Sequence, residues 1–325
     1  MKKLLYTLII AGLGFTSLAQ QMYHTNFVNQ NKVAINPAFT GTSFNFDVIG
    51  GQRLQWTGID GSPSTTYLSV DALAKNTMGI GGNIVMDRTN MYNYMSSKFN
   101  YAYHIELDRF SWVSFGLGMG VMQSSFAPKD VIATDYTDEL IQKNVGGLGF
   151  DADFGVAYFK ENLRVGISIP QLLQNRIKIE ENALIESFGL RRHINFFAAL
   201  DLEMDDKFTA TPSFNLRAVP KASSQFDLGV MITYDKTFWA NIAYRQQSSF
   251  IIGLGTQYND KYLFGYSYEL PWSGITKYGS GSHEIYLGYR IKSNYKAKGP
   301  AKKVSTKLPT VQPDKIDDTE EKEEN

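Results

Sequence analysis

The sequence predicts an all-β fold: a transmembrane outer-membrane β-barrel of about 14 antiparallel strands, followed by a disordered C-terminal tail on the periplasmic side. Three observations lead there. The chain opens on an export signal, the rest alternates apolar and polar residues with a period of two, and its connections alternate between tight and long.

The signal comes first. Lys2 and Lys3 supply a positive start, Leu4 to Phe15 an apolar core, and Ser17-Leu18-Ala19 the small-residue cleavage pattern, so residues 1–19 read as a cleaved signal peptide and Gln20 as the first mature residue. That apolar stretch is shorter than the ~20 residues a spanning helix needs. No later apolar run reaches that length, which excludes a helical inner-membrane protein.

The strands follow. In residues 208–217 the even positions hold Phe208, Ala210, Pro212, Phe214 and Leu216, and the odd ones Thr209, Thr211, Ser213, Asn215 and Arg217. Phe226, Leu228, Val230, Ile232 and Tyr234 repeat the pattern, as do Val113, Phe115, Leu117, Met119 and Val121 against Ser114, Gly116, Gly118 and Gly120. Segments of this kind lie near 45–54, 65–74, 78–88, 94–105, 112–123, 150–160 and 163–169, then near 194–203, 208–217, 226–234, 238–245, 250–258, 262–269 and 283–291. Each is close to the ~10 residues of a tilted membrane strand, and the even count puts both termini in the periplasm.

The connections test this without using hydropathy. Lys75-Asn76-Thr77, Glu161-Asn162, Asp205-Asp206-Lys207, Asp235-Lys236 and Asn259-Asp260-Lys261 are tight and rich in turn-forming types, as periplasmic turns should be. Ser124 to Gly149, Pro170 to His193 and Leu270 to Ser282 are long and should face outward. A soluble β-sandwich also alternates, but it explains neither the signal nor the loop asymmetry. The domain plan is then 1–19 signal peptide, 20–44 an N-terminal segment long enough to enter the lumen as a plug, 45–292 barrel, and 293–325 tail. The tail mixes Lys296, Lys298, Lys302, Lys303 and Lys307 with Pro300, Pro309 and Pro313 before turning acidic, and such a composition buries no core.

Composition narrows function. Lys plus Arg and Asp plus Glu both total 32, giving a formal net charge of zero and no basic face for nucleic acid. Cysteine is absent, which removes thiolate chemistry, disulfides and a lipidated cysteine anchor. The aromatic share of 14% suits two girdles at the lipid boundaries. His24, His104, His193 and His283 lie far apart, and Gly116 to Gly120 lacks the helix a dinucleotide loop opens onto. No metal, cofactor or enzyme is expected. If the apolar face meets lipid, Arg53, Asp71, Asp153, Asp201, Glu203, Asp227, Arg245, Glu269 and Arg290 point inward. Such a lumen is either a water-filled pore or a salt-bridged interior around a plug, and the residues alone leave both open.

Several short motifs carry a family resemblance. Asn36-Pro37-Ala38-Phe39-Thr40-Gly41 opens the series, and Arg53-Leu54-Gln55-Trp56-Thr57-Gly58 follows, continued by Gly61-Ser62-Pro63 and Thr65. Gly79-Ile80-Gly81-Gly82-Asn83, Val165 to Pro170, Pro212-Ser213, Gln225-Phe226-Asp227 and Phe238-Trp239 come next, and Gly265-Tyr266-Ser267-Tyr268 and His283 to Tyr289 close it. In this order they resemble the PorP/SprF family of type IX secretion outer-membrane proteins. The tail has no counterpart in that pattern.

The resemblance implies a non-enzymatic role in protein secretion, gliding motility and cell-surface display in the Bacteroidota. Implied partners are outer-membrane lipid, other type IX secretion components, and a secreted surface protein carrying a C-terminal export domain. An outer-membrane porin or fatty-acid-type channel is the alternative. The motif residues Asn36, Pro37, Gly41, Arg53, Gln55, Trp56, Gly58, Gly61 and Pro63 are structural or partner-binding. Asn36-Pro37 starts a turn, Trp56 suits the membrane interface, and Arg53, Gln55, Gly58 and Pro63 shape the first outer loop or bind cargo.

Overall fold

The computed structural model describes residues 23–126, 145–174, 176–178, 187–189, 191–220, 223–272 and 278–292. The expected signal peptide and tail lie outside the described residues.

Strands β1 (Asn45–Leu54), β2 (Ser64–Lys75), β3 (Met78–Arg88), β4 (Tyr92–Asp108), β5 (Ser111–Phe126), β6 (Val145–Lys160) and β7 (Leu163–Ile169) pair antiparallel in chain order. A short hairpin, β8 (Arg176–Lys178) and β9 (Ser187–Gly189), forms a sheet of its own. The barrel resumes with β10 (Ile194–Leu200), prolonged by β11 (Leu202–Glu203), then β12 (Phe208–Ala218), β13 (Gln225–Tyr234), β14 (Phe238–Arg245), β15 (Ser249–Tyr258), β16 (Tyr262–Pro271) and β17 (Ser282–Lys292). β17 pairs with β1, and β10 pairs with both β7 and β12, so the sheet closes into a barrel of fourteen strands with no free edge. Closure satisfies every ladder within the wall, which is what permits a sheet to stand in lipid.

All fourteen strands fall where alternation places them. The differences are in length. β4, β5 and β6 run beyond the expected 94–105, 112–123 and 150–160, and their ladders continue through Tyr92↔Phe126 and Phe126↔Val145. There Ser124, Ser125, Gly146 and Gly147 pair without presenting an apolar face, so hydropathy carries no signal although the hydrogen bonding persists. Between β10 and β11 the ladder breaks at Asp201, whose amide bonds Asn162 O and whose carboxylate accepts from Arg164. Tight turns take the backbone their residues favour: Asp235 and Lys236, and Asn259 and Asp260, all have positive φ, as two-residue hairpin turns require. These turns and the start of β1 share one end of the barrel; the long connections share the other.

The outer surface is the oily one. Ile242 is 65% exposed and Leu254 55%, while their inward neighbours Arg245 and Ser249 are buried. At the long-loop end an aromatic row, Phe196, Phe214, Phe226, Tyr244 and Trp272, runs from β10 to the end of β16 with neighbouring centroids 5.0–6.1 Å apart. Phe208–Tyr234 and Tyr262–Tyr289 pairs stand at the tight-turn end. The packed core sits inside the lumen, between the wall and residues 23–44, in two clusters around Phe39 and Phe27.

Candidate functional site

The interior is built around the segment that precedes β1. It begins at Tyr23, in the long-loop half of the lumen, and reaches the tight-turn end at Phe44, bending through two short 3-10 turns, Lys32–Ala34 and Pro37–Phe39. Asn36 starts the second. Its Oδ1 accepts from the Ala38 amide at 2.8 Å, and Pro37 fills the first position of the turn, where its missing N–H costs nothing.

That turn sits against a wall cut to receive it. Inward positions on β3, β5, β6 and β7 are Gly79, Gly116, Gly155 and Gly166; a Cβ at Gly116 would collide with the Ala38 and Pro37 main chain, and one at Gly155 with the Asn36 amide. Wall groups then bond the segment's main chain: Ser114 Oγ donates to Ala38 O and Ser168 Oγ to Ile35 O, both at 2.6 Å, and Asn195 Nδ2 to Ile35 O at 3.3 Å. In return Asn36 Nδ2 reaches Val156 O and Ile167 O at 3.3 and 3.1 Å. Phe39 meets Phe159 and Phe197 edge-on at 5.6 and 5.7 Å. Gly41, at φ +74°, lies against Gly79 and donates its amide to Asp71 Oδ2 at 2.8 Å; the positive φ and the close backbone both call for glycine.

Nearer the long loops the partners are charged. Glu284, fully buried, accepts from Thr25 Oγ1 and the Asn26 amide at 2.5 and 2.8 Å and from Tyr67 OH at 3.0 Å. Arg53 joins Asn26 Oδ1 at 2.9 Å, Glu284 and Glu269. The chain of pairs continues from Glu269 to Arg245 at 2.9 Å, Arg245 to Asp227 at 3.0 Å and Asp227 to Arg217 at 2.9 Å, a belt across β12 to β17 and β1. Phe27 closes this half, 4.6 Å from Tyr286 and 5.9 Å from Trp239. On the opposite wall Lys98 bridges Asp151 and Asp153 at 2.8 and 2.7 Å.

The motif residues thus divide between two places. Asn36, Pro37 and Gly41 lie in the lumen, and so does Arg53. Gln55, Trp56, Gly58, Gly61 and Pro63 form the loop between β1 and β2: Gln55 N bonds Pro63 O at 2.9 Å, Trp56 N bonds Ser282 Oγ at 3.2 Å, and Thr57 N bonds Gly281 O at 2.8 Å. Gly58 and Gly61 take φ of +98° and +70°. This pins the loop to the start of β17, beside the barrel seam. Thr25, Asn26 and Phe27 carry much of the interior and belong to none of the motifs, whereas Glu284 lies in the closing motif without any sign of its partners; spacing gives no hint of pairs made across more than 200 residues. The glycine alternation on β5 was the one legible sign that the wall leaves room.

At the tight-turn end the segment leaves a vestibule of about 290 Å3 lined by Lys32, Phe44, Asp47, Trp112, Arg164 and Arg290, among others. Arg164 pairs with Asp201 and Arg290 with Asp47. Lys32 Nζ donates to Asn29 O at 2.7 Å, and among the described residues no carboxylate lies within ion-pair reach of it. Burial lowers its pKa to about 8. Its unfolded value is higher, so between the two the released segment binds more protons than the seated one, and seating strengthens as pH rises from about 8 toward the ordinary lysine value. Protease protection of residues 23–44 should therefore increase over that range and stay level in Lys32→Met; a flat wild-type profile would contradict this.

The family described as "Type IX secretion system membrane protein PorP/SprF" matches residues 16–289. The chain belongs to this family. The PorP/SprF chain is accordingly an outer-membrane component of a type IX secretion system, associated with the membrane and with other components of that system. No curated protein matches it. Among solved structures it is similar to the toluene transporter TbuX of Ralstonia pickettii, with a TM-score of 0.52 at 8% identity over 80% of this chain and 92% of that one. A Pseudomonas aeruginosa FadL homologue gives a TM-score of 0.50 at 8% identity, covering 81% and 94%. At such identities the likeness establishes the outer-membrane barrel fold alone. Among the described residues no group of three or more His, Asp or Glu is placed to hold a metal ion.

Proposed function

We propose that this barrel assists the export or surface attachment of a secreted, adhesin-type protein through its long loops, with the lumen closed by its own N-terminal segment. The observation that carries the reading is the occupied interior: residues 23–44 touch strands on both sides of the barrel and bond to Ser69, Ser114, Ser168, Ser213, Ser267 and Glu284. A barrel filled in this way has its loops left for recognition, and loops mounted on a rigid wall commonly bind partners. On this reading the tight turns, the vestibule and the tail after Lys292 face the periplasm. Gln55, Trp56, Gly58, Gly61 and Pro63 act by holding the first outer loop in shape. Deleting the gene should remove a large adhesin with a C-terminal export domain from the cell surface and impair gliding. Affinity capture from outer membranes should recover that cargo or periplasmic secretion components. Unchanged surface proteomics and motility would refute the proposal.

The channel alternative draws on fold likeness to TbuX and the FadL homologue. A steady open current from the purified barrel in a planar bilayer, without cargo, would favour it.

A further inference from the structure

The N-terminal segment fits the barrel unevenly. Against β3 to β7 it is seated on glycines and hydrogen-bonded along its main chain, as described above. Against β12 to β15 it is not. Asn215 is 4% exposed on the inner face of β12, and neither atom of its amide has a hydrogen-bond partner. Asn29 Oδ1 on the segment and Asn241 Oδ1 on β14 are also buried without one. All three residues line a single cavity of about 40 Å3, together with Ser213, Asp227 and Arg245.

Leaving several buried amide groups unbonded is costly, so native proteins fill such spaces with water. One water needs only ~10–15 Å3 of such volume, and the three amides with Ser213, Asp227 and Arg245 give this chamber polar partners amid an otherwise apolar lining. It also has neighbours at each end. Toward the long loops a second cavity, about 50 Å3, shares Thr25 and Val28 with it and is lined by Arg217 and Gln225. Toward the tight turns, Gln30, next to Asn29, already lines the 290 Å3 vestibule. The bond that crosses the waist between chamber and vestibule is Gln30 Nε2 to Met231 Sδ at 3.3 Å, and a thioether is a weak acceptor that a water can replace.

We propose that the plugged barrel keeps a water-filled side passage along β12 to β15, with Asn215 in its central chamber and the Gln30–Met231 contact at its waist, which conducts water across the barrel while excluding organic solutes and steady ionic current. The passage exists because three amides need water and the segment meets that wall only at a few side chains, Asn29 on Ser213, Gln30 on Met231 and Phe27 against Trp239; its charged lining residues, Arg217, Asp227 and Arg245, are neutralised by pairing and offer no ion a favoured site. This rests on the plug reading given under the proposed function, and the two fail differently.

The test is stopped-flow osmotic shrinkage of proteoliposomes holding the full mature barrel, paired with planar-bilayer recording of the same preparation. The wild type should shrink several-fold faster than protein-free vesicles and show no steady current. Asn215→Leu, which fills the chamber and removes the amide, should return shrinkage to the lipid rate. Ser213→Leu serves as a second blocking variant, and each is first shown to fold by its heat-dependent mobility on a detergent gel. Wild-type shrinkage at the lipid rate overturns the passage and leaves the plug intact. A steady current with solute uptake overturns the plug itself. Rapid shrinkage that survives both folded variants also overturns the passage, because water then crosses elsewhere.

Discussion

Arg53→Ala should give the largest loss of stability of any single substitution in the barrel interior. The guanidinium is 3% exposed and sits between Glu269 and Glu284, themselves 4% and 0% exposed, while also holding Asn26 of the N-terminal segment. Removing one partner of a buried pair strands the other charge, typically at about 3–5 kcal/mol. Here two carboxylates lose their shared cation, although Arg245 still serves Glu269. Glu284 keeps only neutral donors and is the one most exposed to the loss. The expected result is a lower urea midpoint for unfolding in detergent and earlier proteolysis of residues 23–27. Arg53→Met with Glu284→Gln should recover part of the midpoint, because it removes the stranded charge with its partner. An unchanged midpoint in Arg53→Ala would show that the belt contributes nothing to holding the barrel.

The second large effect belongs to Gly116. Its missing Cβ is the space that Ala38 and Pro37 occupy, and the obstruction is main chain, which has nowhere to move. Gly116→Val on an inward position should leave the wall itself competent, since valine favours strands. What it should abolish is the seat. Ser114 to Ala38 O and Asn36 to Val156 O would be lost together with the Phe39 packing, so residues 36–41 should become protease-sensitive and the barrel should carry ionic current. Gly116→Val that stays silent in a bilayer with its segment protected would refute the seating argument. Gly50 faces lipid on β1, where an added Cβ meets only Leu68 Cδ1 and Tyr67 O at 3.6 and 3.7 Å, and Gly50→Val should leave segment and current untouched.

How much of this could be read from the chain follows from where the forces act. Lipid on one side and polar lumen on the other impose a period of two wherever a strand crosses the membrane, which is why β1, β3, β7 and β14 begin and end at the expected residues. Where β5 and β6 run on through Ser124, Ser125, Gly146 and Gly147 the constraint lapses, and the expected segments stop short of the strand ends. Charged residues on the inner parity, Arg53 and Asp227 among them, were legible for the same reason. Their partners were not, because Arg53 meets Glu284 through closure of the barrel and no local rule relates the two. The N-terminal segment is the extreme case. Thr25, Asn26 and Phe27 have no periodicity, and their roles come entirely from what the finished wall presents.

The bond between Thr25 and Glu284 joins the N-terminal segment to the last strand, 259 residues apart. That link ties the seating of the segment to the closing of the wall: Thr25 and Asn26 gain their acceptor only once β17 is in place. Chains stopped before Ser282 would lack both the closing seam and the acceptor for Thr25, Asn26 and Arg53. The interior is therefore completed by the same event that joins the first strand to the last, and a half-made barrel has no sealed intermediate on the way.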